Sequence, residues 1–143
     1  MRHSKYRVRR ALERFENVRL RRIPDPAGDT GCFLITTYAD NATARGVSAA
    51  LRAEGITTFP QGVSNIPMTD WGLHLYYNNV SLVQRRGLAW KLSENAGLAR
   101  DYGKGACPVA DSLFERSIVL PIPSCLTEKD EDDIILAFEK TLE

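Results

Sequence analysis

The chain has 143 residues, 43% of them hydrophobic and 26% charged, with a net charge of +1. That is the size and composition of one globular domain, residues 1–143, with enough apolar material for a single core and too little chain for two. No apolar run approaches the ~20 residues of a membrane span, and no secretory apolar block of roughly 7–15 residues follows the basic N-terminus. A cytoplasmic protein without membrane association is expected. Cys32, Cys107 and Cys125 are odd in number, lack a Cys-x-x-Cys pair and have no histidine cluster nearby. Neither a disulfide framework nor a metal site is therefore expected.

Charge is distributed unevenly. Residues 1–22 carry nine Lys or Arg against Glu13 and Glu16, and residues 125–143 carry seven acids against Lys129 and Lys140. A basic terminus can serve as a nucleic-acid arm. "SKYRVRRALERFENV" also places Tyr6, Val8, Ala11, Leu12 and Phe15 along one side of a helix, and this amphipathic helix is the preferred reading. No RNA-recognition aromatic motif accompanies it, so nucleic acid is not expected as a partner.

"VRLRRI", Val18 to Ile23, alternates apolar and basic residues as a half-wet strand does. "PDPAGDTG" then forces a turn, and "CFLITTY", Cys32 to Tyr38, reads as a more buried strand. Asp40 can cap a helix over Asn41 to Glu54, which Gly55 ends. "ITTFP" reads as a short strand stopped by Pro60, and residues 61–79 as a long irregular segment rich in aromatics. Leu82 to Leu92 has helical spacing, and a glycine-containing connection follows. Pro108 suits the first position of a short helix. "SIVLPIP" reads as an apolar strand whose prolines confine its far end, and "TEKD" from Thr127 as a capping box before an acidic last helix. These elements predict an α+β fold: a small, mostly antiparallel sheet packed with helices.

Few groups could converge on a reaction. His3 and His74 are the only histidines, and "GKG" at Gly103 to Gly105 is too short for a phosphate loop. "DWGLHLYYNN", Asp70 to Asn79, is the best site candidate. In an extended backbone His74, Tyr76 and Asn78 alternate onto one side and could line a polar pocket. The bland alternative has Tyr76 and Tyr77 filling core and His74 bonding a nearby carbonyl.

The run "CPVADSLFERSIVLPIPSCLTEKDEDDIILAFEKTL" resembles the C-terminal end of the DegT/DnrJ/EryC1/StrS family of pyridoxal-phosphate-dependent sugar aminotransferases. "RRIPDPAGDTGCFLITTYADNATARGVSAALRAEGI" is similar to the preceding part of that family's small domain, and "HLYYN" to a His-Tyr segment in some members. The likeness spans Leu20 to Leu142. It implies the C-terminal domain of a fold type I enzyme, whose large domain supplies the Schiff-base lysine and most of the cofactor site. None of Lys5, Lys91, Lys104, Lys129 or Lys140 stands in the family's lysine motif. The resemblance therefore implies a fragment or separately encoded part that binds no pyridoxal phosphate alone and contributes no catalytic residue. It also implies a partner, either the large domain or a second copy as in a homodimer, and a keto-sugar substrate touched by His74, Tyr76 and Asn78. A stand-alone interaction module for small molecules or proteins is the other reading.

Overall fold

The computed structural model describes residues 1–57, 64–97 and 101–143, without the side chains of residues 88 and 89. Among the described residues, five α-helices accompany a four-stranded antiparallel sheet, an α+β fold as expected. The helices are α1 (Arg2–Leu12), α2 (Asn41–Ala53), α3 (Val80–Val83), α4 (Pro108–Glu115) and α5 (Glu128–Leu142). The strands are β1 (Arg19–Leu20), β2 (Phe33–Thr37), β3 (Ile66–Pro67) and β4 (Ser117–Pro121), ordered β1-β2-β4-β3.

The centre of the sheet joins distant parts of the chain, with Phe33 opposite Pro121 and Thr37 opposite Ser117. Alternation along these strands sends Leu34, Thr36 and Tyr38 of the β2 segment, and Ile118, Leu120 and Ile122 of the β4 segment, to one face. There α1, α2 and α5 cover them with Val8, Leu12, Val47, Leu51, Ile134 and Phe138, all buried. The opposite face carries Phe33, Ile35 and Thr37, half-buried, and Val119, fully buried. Trp71 meets Phe33 edge-on there, with ring centroids 5.2 Å apart. Thr37 and Ser117 share a 2.7 Å hydroxyl hydrogen bond across the strands.

Caps start the long helices where their residues predict. The Asp40 carboxylate accepts from the Thr43 N–H at 2.8 Å. At α5 the Thr127 hydroxyl accepts from the Asp130 N–H while the Asp130 carboxylate accepts from the Thr127 N–H, a complete capping box. The Thr43 N–H holds the Asp40 carboxyl below its usual range, and the Thr127 hydroxyl, which also donates to the Asp130 carboxylate at 2.6 Å, does the same for Asp130 together with the Thr127 N–H.

A buried ion pair fixes α1 against the turn that follows β1. The Lys5 ammonium lies 2.6 Å from the Asp29 carboxylate, both nearly sealed from water. Gly31 makes the approach possible. It has φ +79°, and a Cβ there would lie 2.4 Å from the Arg2 Cα.

Three expectations change. The strand over Val18 to Ile23 shortens to Arg19–Leu20, because the two prolines of "PDPAG" release the chain from the sheet edge. Of "ITTFP", Ile56 and Thr57 are not in a strand and the remainder lies outside the described residues; the third strand is Ile66–Pro67. The helix expected over Leu82 to Leu92 is the four-residue α3 instead. It ends where Arg85 takes φ +51°, a left-handed conformation that a helix cannot continue through.

Candidate functional site

Residues 68–79 are neither extended nor helical over any length. Three successive 3₁₀ turns, Met68–Asp70, Gly72–His74 and Tyr76–Asn78, carry the chain along the outer side of the sheet. Each closes through its own backbone bond: Trp71 N–H to Met68 O, Leu75 N–H to Gly72 O and Asn79 N–H to Tyr76 O. Gly72 at φ +59° joins the first two turns. About three residues per turn do not keep alternate side chains on one side. The expected row of His74, Tyr76 and Asn78 is therefore dispersed.

His74 is exposed and stacks on Trp71, rings 4.2 Å apart and 24° from parallel. With Phe33 behind Trp71, this forms a short aromatic column ending in an exposed imidazole. Asn78 turns back to donate from Nδ2 to the Gly72 carbonyl at 3.0 Å, which fastens one turn to the next. The first turn is tied to α2, because Arg45 forks onto both Asp70 oxygens at 3.0 and 3.2 Å and also donates to the Thr69 hydroxyl.

Tyr76 points elsewhere. Its hydroxyl donates to the carboxylate of Asp111 on α4, at 2.9 and 3.0 Å from the two oxygens, and accepts the Cys107 N–H at 3.1 Å. Asp111 is buried and also accepts the Gly105 N–H at 2.8 Å. Desolvation raises the Tyr76 pKa, and the Asp111 charge adds to the rise against the opposing Cys107 amide. The phenol is thus a committed donor that ties α4 to the 3₁₀ turns, and it is a poor proton acceptor near neutral pH. Lys104, bonded at 2.8 Å to Glu115 on the same helix, has its pKa raised by that carboxylate.

Sequence reasoning found Tyr76 and His74 but missed Asp111 and Cys107 as partners of the first and Trp71 as partner of the second. A phenol and a carboxylate 35 residues apart give no local signal. The aromatic stack could have been suspected from Trp71 and His74, three apart in a glycine-containing segment. Among the described residues no group of three or more His, Cys, Asp or Glu could hold a metal ion, and no helix is long and apolar enough to cross a membrane.

In comparison with known proteins, no family model and no curated protein matches the chain.

Proposed function

We propose that the chain is the C-terminal small domain of a pyridoxal-phosphate-dependent sugar aminotransferase, shaping and closing the pocket for a keto-sugar without transaminating alone. The observation that carries this reading is the run from Cys107 to Leu142. The stretch that most resembles the family runs in chain order as α4, β4 and α5, and its strand lies between β2 and β3 in the sheet.

The lysines agree with a missing chemical half. An imine-forming lysine needs a neutral amine beside a charge partner for the pyridine ring and a cup for the phosphate. Lys5 is buried against Asp29, and Lys140 is bonded to Glu54. Lys104 and Lys129 have their pKa values raised by Glu115 and Asp133, the direction opposite to activation. None of these four lysines fits the imine-forming role, and in this reading the cofactor's chemistry would belong to another domain. Within the proposed pocket, the exposed His74 imidazole is the group best placed to hydrogen-bond a sugar hydroxyl. Tyr76 and Asn78 position the turns that carry it.

The exposed Val109 and Leu113, one turn apart on α4, would meet that other domain. They would equally serve the interaction-module reading, so a combined experiment separates the two. Pyridoxal phosphate added to the chain alone is expected to give no imine absorbance. Joined to a lysine-bearing large domain of the family, the chain is expected to support amino transfer to a nucleotide-linked keto-sugar. There His74→Ala should lower kcat/KM by about tenfold, the loss of one useful hydrogen bond. A stable imine on the chain alone, or no activity in the joined protein while both parts are folded, would overturn the proposal.

A further inference from the structure

A strongly charged concavity lies away from the aromatic turns, along the outer side of α1. Arg2, His3, Tyr6, Arg7 and Arg10 line an open cleft of about 910 Å³, walled by Pro26 and Ala27 and with Glu128 as its single acid. The volume falls within the range of small-molecule sites, about 300–1,000 Å³. Positions 2, 6 and 10, and 3 and 7, recur every four residues, so their side chains share one helical face.

The lining is partly fixed before any ligand arrives. Arg2 donates from Nη1 to the Ala27 carbonyl at 2.8 Å, and the Asp25 carboxylate braces the turn by accepting the Ala27 N–H. Arg7 reaches Asp132 at 2.6 Å and Glu131 at 3.3 Å. Lys5–Asp29 and Gly31 hold the turn against the helix behind them. The side chains of Arg10 and His3 are exposed and make no hydrogen bond or ion pair among the described residues. The Tyr6 hydroxyl is buried beside the Asp29 carboxylate, and desolvation, then the Asp29 charge and hydrogen bond, raise its pKa. Two anchored guanidinium groups, a free third, an imidazole and a phenol ring therefore surround one hollow.

We propose that this cleft binds a small ligand carrying two or more neighbouring phosphates. Guanidinium forks match phosphate oxygens in pairs, and anchoring lowers the ordering cost of binding. Arg7 and Arg10 lie about one turn apart on the helix, roughly 5 Å along its axis, with Arg2 further back on the same cleft, so an anion with several charged centres is matched better than a single sulfate. The concave shape, closed on one side by the Pro26–Ala27 turn, favours a compact ligand over a nucleic-acid backbone. The proposal does not depend on the aminotransferase reading.

The test is a titration of the whole chain with inorganic pyrophosphate, followed by amide NMR and calorimetry at fixed ionic strength. Saturable shifts are expected at the amides of Tyr6, Arg10 and Ala27, with sulfate binding at least about tenfold more weakly. Arg10→Ala, an exposed change that leaves the fold intact, should weaken pyrophosphate about tenfold, and His3→Ala by less. Arg22→Ala, which removes the same charge outside the cleft, should leave it within about twofold, the size of a long-range effect screened by salt. Absence of saturable shifts with pyrophosphate, or equal losses in the Arg10 and Arg22 variants, would overturn the proposal. So would tight oligonucleotide binding that pyrophosphate does not displace, since the surface would then be a nucleic-acid face.

Discussion

The helical layer and the turn-rich layer stabilise the same sheet by different means. Beneath α1, α2 and α5 the contacts are apolar, with Leu34, Ile118, Leu120, Leu12 and Phe138 essentially without solvent exposure. Across the sheet and along residues 64–79, single apolar residues such as Met68, Leu75 and Val119 stand among polar ties: Thr37 to Ser117, Arg45 to Asp70 and Tyr76 to Asp111. Asn65 is fully buried, donating to the Ile56 carbonyl and accepting from the Ser48 hydroxyl of α2. Apolar burial is tolerant of small movements, whereas directional bonds fix particular geometries. The turn-rich layer can thus present exposed groups such as His74 on a defined backbone without a large core beneath them.

Substitutions in the two layers should separate these modes. Phe138→Ala removes the largest fully buried side chain and should cost about 4 kcal/mol, seen as a lower midpoint by every probe of chemical unfolding. Leu75→Ala should cost about 2–3 kcal/mol, with amide exchange accelerated chiefly over residues 68–79. Equal global losses from both would mean that the layers form one cooperative unit.

Lys5→Met leaves Asp29 buried without its partner and should cost about 3 kcal/mol, a loss readable by thermal unfolding. The Lys5 hydrogen bond is the chief cause that lowers the Asp29 pKa. That stabilisation is complete above the unfolded carboxyl value, about 4, and is lost as pH falls through the lower folded value. Wild-type stability should therefore drop on acidification below about pH 4 more steeply than that of Asp29→Asn.

Tyr76→Phe should lower stability less than Leu75→Ala, by removing the hydroxyl that bridges Asp111 and the Cys107 N–H. It should speed exchange at the Cys107 and Gly105 amides while leaving α1 and α5 protected. Thr127→Ala should cost about 1 kcal/mol, confined to the first turn of α5 in exchange measurements. Protection lost throughout the molecule in either variant would contradict the division into layers.

What could be read from the sequence follows the same division. Elements specified by local chemistry were legible: the Asp40 cap, the Thr127–Asp130 capping box, the proline opening α4 and the alternation in β2. The two-residue β3 was not, because it contains a proline and is held by pairing with β4 at the sheet edge. For His74, Tyr76 and Asn78, alternation assumed an extended backbone, and consecutive i to i+3 bonds around Gly72 gave another geometry. The α1 cleft was hidden for a different reason. Tyr6 was assigned to the apolar side of its helix, although Arg2, Tyr6 and Arg10 lie one turn apart beside it.

The pairing of β2 with β4 also bears on how the chain reaches this structure. Thr37 and Ser117, partners across the two central strands, are 80 residues apart. Closing a loop of that length costs about 2 kcal/mol more than closing one of ten residues, before any contact between the strands repays it. Folding should accordingly be slow for a chain of this size. During synthesis β2 would emerge long before its central neighbour, and its apolar side would depend on α1 and α2 for shelter until the last strand arrives.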